Sequence, residues 1–71
     1  MKKPLSLLGS SVDKNIIATL RNGIEYRGIL DGYDPHMNLV LKNADELVEG
    51  EKVRHHNIVL VRGDNVIYIS P

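Results

Sequence analysis

Seventy-one residues leave room for one domain, expected to span 1–71, and a chain this short buries only about 60% of the surface it exposes when unfolded. With no cysteine there are no disulfides or cysteine-ligated zinc, and the three histidines have no carboxylate spacing that reads as a metal site; no cofactor is expected, and self-association is the remaining source of stability. Nine Lys and Arg balance nine Asp and Glu, which excludes nucleic-acid binding driven by overall charge but not a local cluster of positive groups.

The opening MKKPLSLLGSS has the lysines and leucines of a secretory signal, but its apolar stretch, Leu5 to Leu8, is broken by Ser6. Such signals need roughly 7–15 apolar residues, and a membrane span needs about 20, far beyond the longest apolar run of this chain. A soluble cytoplasmic protein is expected. Pro4 followed by LSLLGSSV predicts a helix over about 4–11, with proline tolerated in the first turn and Gly9 as a natural stop. So short a helix is unstable alone and must pack on something.

From Asn15 the period changes to two: in NIIATLR, Ile16, Ala18 and Leu20 alternate with Ile17, Thr19 and Arg21, which predicts a strand with one polar face. Asn22-Gly23 is a strong hairpin signal. The next strand, IEYRGILDGYD, carries Gly28 and Gly32 on the face of Ile24, Tyr26 and Leu30. Glycine within a strand marks a bend or bulge, so this strand is expected to curl and serve both halves of a small barrel. A third strand is expected from Met37 to Lys42, NADELVEGEK reads as a polar turn, and a fourth strand runs from about Val53 to Val61. RGDN then leads tightly into a last strand, Val66 to Ile69.

The expected fold is therefore mainly β: a short helix and a five-stranded, strongly bent, antiparallel open barrel. Ile58-Val59-Leu60-Val61 and Val66-Ile67-Tyr68-Ile69 are apolar on both faces, although a domain this small offers a strand only one core-facing side. Their outer faces are expected to meet the helix or another molecule, and head-to-tail pairing of such edges closes into a ring when the rotation allows.

The segment RNGIEYRGILDGYDPHMNLVLKNADE, Arg21 to Glu46, resembles the first motif of the Sm/LSm family, with Gly28, Leu30 and the signature residues Asp34, Met37 and Asn38. IVLVRGDNVIYIS, with Arg62-Gly63-Asp64-Asn65 at its centre, resembles the second. The motifs fall within about 14–46 and 58–70, and the short spacer between them is similar to that of the archaeal homomeric members. The resemblance implies the Sm fold, edge-to-edge joining of the last two strands between neighbours, a homo-heptameric ring, and uridine-rich single-stranded RNA held at the ring's pore. It implies a role in RNA processing or ribonucleoprotein assembly and no enzymatic activity.

By the same resemblance His36 and Asn38 from one loop, and Arg62 and Asp64 from the other, line the pore. Taken singly, each is ordinary turn or surface chemistry, and Asp64-Asn65 is turn chemistry by default. Single-stranded RNA is read by stacking a splayed base and bonding its exposed edge. The chain has no Phe or Trp and three Tyr, so an imidazole and a guanidinium are the planar groups available to stack, and they suit His36 and Arg62 to clamp a base. The Asn38 amide suits the uracil edge provided its orientation is fixed. Asp64 is expected to fix it by accepting from the amide nitrogen and leaving the carbonyl toward the base.

Other candidates are weaker. His55 and His56 point to opposite strand faces and cannot share an ion, and Asp45-Glu46 and Glu49/Glu51 are expected in the polar turn. Tyr33, on the face opposite Tyr26, is a further stacking candidate on the ring surface. No nucleophile lies beside a histidine motif, which argues against an enzyme, and three scattered tyrosines cannot line a peptide groove. The competing reading is a ring that serves only as a structural or protein-interaction scaffold.

Overall fold

The computed structural model describes residues 4–70, so the Lys2-Lys3 start lies outside the described residues. The elements are α1 (Pro4–Ser11), β1 (Asn15–Leu20), β2 (Ile24–Tyr33), β3 (Leu39–Val48), β4 (Glu51–Val61), a 3-10 turn (Gly63–Asn65) and β5 (Val66–Ser70). All five strands are antiparallel in one sheet of order β4-β3-β2-β1-β5, which is the expected mainly β architecture and leaves β4 and β5 as its edges.

Period-two alternation sets the core. Ile16, Ala18 and Leu20 of β1 are buried, as are Leu30 of β2, Leu39, Leu41 and Ala44 of β3, and Val61 of β4. The helix closes one end by burying Leu8, while Val12 packs against the same cluster. Gly9 does not stop the helix, which continues to Ser11; the Ser10 and Ser11 hydroxyls donate back to the Leu7 carbonyl at 2.9 Å and keep the last turn wound.

Both glycines of β2 lie at irregularities in its pairing with β3, one between Arg27 and Ile29 and one between Leu30 and Gly32. Gly28 is needed for close approach: a Cβ there would lie 2.8 Å from the Ala44 Cβ and 2.9 Å from the Ala44 Cα. The Asn22-Gly23 hairpin forms as expected, with the Gly23 N–H donating to the Leu20 carbonyl at 3.2 Å.

The stretch 43–52 is not a polar turn. β3 runs on to Val48 and β4 begins at Glu51, joined by a two-residue turn at Glu49-Gly50 in which both φ angles are positive, 51° and 83°. Polar side chains there pair across the strands instead of facing a loop's solvent. Asp45 accepts from Lys52 (3.2 Å) and His55 (2.8 Å), and Glu46 meets His56 (2.8 Å) and Arg54 (3.8 Å). Ala44 and Leu47 are buried inward, so the hairpin carries its own half-hidden apolar face.

Candidate nucleic-acid interface

The loop between β2 and β3 is Asp34-Pro35-His36-Met37-Asn38. Asp at the first turn position and Pro at the second are the residues a type I turn favours. The Met37 N–H donates to the Asp34 carbonyl (3.0 Å), and the Asp34 N–H to the Asn38 carbonyl (3.2 Å). Met37 takes a φ of 65°, the left-handed step that ends the turn and returns the chain to β3. His36 is left exposed at the tip and Asn38 half-buried at the strand mouth.

The Asp34 carboxylate holds this loop from inside. Its Oδ1 accepts the His36 and Asn38 backbone N–H groups at 2.9 and 3.1 Å, and its Oδ2 accepts from Asn38 Nδ2 at 3.0 Å. The Asn38 side-chain bond, helped by the two backbone N–H groups, pulls the Asp34 carboxyl below its ordinary pKa. It is therefore ionised and acceptor-only at neutral pH.

The second loop joins β4 to β5. Arg62 is exposed at the strand end, and the 3-10 turn that follows is closed by the Asn65 N–H on the Arg62 carbonyl, 3.1 Å. Gly63 lies against the first loop. Its N–H donates to Asn38 Oδ1 at 2.7 Å, and a Cβ there would collide with the His36 carbonyl oxygen and lie 2.8 Å from the Met37 carbonyl carbon. Only glycine allows this approach.

His36 and Asn38 thus come together with Gly63, and Arg62 and Asp64 flank that glycine in the chain. One expectation fails in this arrangement. Asp64 does not hold the Asn38 amide; it is exposed and meets Arg62 at 3.4 Å. The physical reason is reach: Asp34, four residues before Asn38 on the same tight turn, already takes the amide nitrogen, and the amide oxygen is turned to Gly63. Neither Asp34 nor Gly63 stood among the candidate site residues. The signal for Asp34 was the Asp-Pro turn, since an aspartate at the head of a turn bonds the backbone N–H two residues on.

The consequence is that the Asn38 amide is fixed from both ends. Flipping the amide would set its NH₂ against the Gly63 N–H and its oxygen against the Asp34 carboxylate. The held orientation uses one amide N–H and one lone pair on the oxygen, leaving one donor and one acceptor free. A neighbouring pair of that kind matches an edge that offers a donor beside an acceptor.

The remaining candidates stand apart. His55 and His56 each bond a carboxylate of β3, on opposite faces, and among the described residues no three His, Cys, Asp or Glu side chains cluster as a metal site. Tyr33 sits beside the helix, its hydroxyl 3.0 Å from where a Cβ on Gly9 would be. No described helix is long and apolar enough to cross a membrane.

Residues 6–71 match the model of the LSM domain family. The snRNP Sm-like protein of Methanosarcina barkeri is 52% identical over 69 residues, covering 97% of this chain and 96% of that one. That of Archaeoglobus fulgidus is 49% identical over 69 residues, covering 97% and 90%. Among solved structures, the Sm protein of Pyrococcus abyssi in complex with a uridine heptamer superposes with a TM-score of 0.95 at 43% identity, covering 99% of each chain. A heptameric archaeal Sm protein superposes with a TM-score of 0.86 at 39% identity, covering 93% of this chain and 96% of the other.

Proposed function

The chain belongs to the LSM domain family, and from that premise we propose that it forms a homo-heptameric ring that holds single-stranded, uridine-rich RNA at its pore. The observation that carries this reading is the fastening of the two loops through Asn38: an amide locked by Asp34 and Gly63, with the exposed planar groups of His36 and Arg62 on either side in the chain. The likeness to a protein solved with a uridine heptamer supports the ligand class, and the likeness to a heptameric relative supports the ring.

In this reading His36 and Arg62 stack on the base, Arg62 adds attraction for phosphate, and Asn38 reads the edge. Its oxygen accepts uracil N3–H and its nitrogen donates to uracil O4. Cytosine offers the reverse pattern, so the locked amide would face a lone pair with its oxygen and a donor with its nitrogen. Leaving buried polar groups unpaired costs roughly 1–3 kcal/mol at each site, repeated around the ring. The chemistry is binding and not catalysis, in a cytoplasmic protein serving RNA processing or ribonucleoprotein assembly. Gel filtration with labelled oligo(U) and oligo(A) tests the reading: co-elution of oligo(U) alone with a ring supports it, and a ring that carries neither oligonucleotide would point to a structural scaffold instead.

A further inference from the structure

The two fastened loops bring no surplus of positive charge to the site. The loops hold one arginine, Arg62, and two carboxylates: Asp64, 3.4 Å from the Arg62 guanidinium, and Asp34, which is bonded within its own loop. At neutral pH this cluster carries one negative charge in excess, and a ring would repeat it at every subunit. Single-stranded RNA brings a further negative charge with each nucleotide, and its binding is dominated by positive groups that neutralise phosphates. With Arg62 offset by Asp64, the two loops alone supply little net attraction for the phosphates.

Of the described lysines and arginines, Arg27, Lys42, Lys52, Arg54 and Arg62 lie within ion-pair distance of a carboxylate. Among the described residues, that leaves Lys14 and Arg21. Lys14 precedes β1 and Arg21 follows it, so a six-residue strand, roughly 20 Å, separates them. Arg21 is on the side of the site. Its backbone N–H donates to the Asn65 carbonyl at 2.9 Å, which pins the turn between β1 and β2 against the 3-10 turn that carries Asp64. The Arg21 side chain is exposed, and its backbone is held at Asn65, one residue from Asp64 in the chain.

We propose that Arg21 is a third-loop phosphate ligand, supplying from the Asn22-Gly23 hairpin the positive charge that the two motif loops lack. This rests on the reading of the protein as an RNA-binding ring. Arg21 acts on the backbone and not on the base, so it contributes affinity without sequence preference. The tether is made by the backbone of Arg21, so replacing its side chain leaves the loop packing in place.

The test is a titration of labelled seven-nucleotide oligo(U) and oligo(C) with wild-type, Arg21→Ala, Arg21→Lys and Arg27→Ala rings over a series of salt concentrations, with ring integrity checked by native mass spectrometry. Arg21→Ala is expected to weaken oligo(U) binding about tenfold or more at low salt, and to flatten the slope of log affinity against log salt by about 0.7 for each phosphate no longer neutralised. The ratio of oligo(U) to oligo(C) affinity should stay as in wild type. Arg21→Lys should retain the slope, and Arg27→Ala, whose guanidinium is paired with Glu25, should change neither quantity. An intact Arg21→Ala ring with the wild-type slope overturns the assignment, as does a change in uridine preference as large as the change in affinity. Failure of the wild-type ring itself to bind oligo(U) would remove the RNA-binding reading, and this proposal with it.

Discussion

At the scale of single residues, orientation matters more than inventory. A carboxamide is ambiguous between donor and acceptor until its surroundings decide, and here Asp34 and Gly63 decide. Asp34→Ala should erode the preference for oligo(U) over oligo(C) far more than Asp64→Ala, whose partner is the arginine and not the amide. Paired titrations at one salt concentration measure this; equal loss of preference in the two variants would return the orienting role to Asp64. The same carboxylate sets an acid limit. Its folded pKa lies below the ordinary aspartate value, so the fastening it provides is complete above that value and is lost as pH falls through the depressed one. The Asn38 side-chain amide resonances in NMR should therefore stay unchanged on acidification to the ordinary aspartate pKa and shift only below it. A shift centred above about pH 5, more than a unit beyond the ordinary aspartate value, would contradict this.

At the scale of elements, the bend of β2 is made by omission of a side chain. Gly28 lies against the backbone of Ala44, which cannot swing aside as a flexible side chain would. Gly28→Val should therefore cost about 1–3 kcal/mol through overpacking. Adding Ala44→Gly should recover only part of it, since the Ala44 Cα is itself 2.9 Å from the new Cβ position. Thermal unfolding of the two variants decides it, and a Gly28→Val protein as stable as wild type would mean that β2 can straighten. The β3–β4 hairpin shows the converse device. Its outward charges pair strand to strand, and opposite charges facing each other across an antiparallel pair contribute about 0.2–1 kcal/mol each.

At the scale of the molecule, the two edge strands carry its least satisfied surface. Ile58 and Leu60 on β4, and Ile67 and Tyr68 on β5, are each more than half exposed in the single chain, at 69%, 65%, 59% and 57%. Exposed apolar edges of this kind pair with other chains. Ile67→Asp should break assembly and lower folding stability together, read by native mass spectrometry alongside thermal unfolding; a well-folded Ile67→Asp monomer would show that the sheet does not depend on neighbours. In the proposed ring, repetition of the site governs affinity as well. Stacking contributes about 1–3 kcal/mol per base, so one site is weak, but each further nucleotide binds at high effective concentration. Affinity for oligo(U) should climb steeply with length and level off near seven nucleotides, and a three-nucleotide ligand that binds as tightly as a ten-nucleotide one would refute the circular arrangement.

Much of this is legible in the residues because it is local. Period-two alternation, Asn22-Gly23, the strand glycines and the Pro4 helix start act through neighbours in the chain, so strand count, bend and hairpin can be read from residue order. The extent of β3 cannot: in NADELVEGEK the polarity looks like a loop until Asp45 and Glu46 find His55, Lys52, His56 and Arg54 across the hairpin. The four candidate residues follow from motif order, yet chemistry alone points to Asp64 as the partner of Asn38. Which of two aspartates reaches an amide depends on a turn that folds Asp34 back within 3.0 Å of it, and on a glycine 25 residues away whose missing side chain lets the second loop close on the first. Residue types and their spacing determined which groups the two loops carry; tertiary structure decided which of them hold the Asn38 amide still, because orientation is set by neighbours in space that spacing along the chain does not specify.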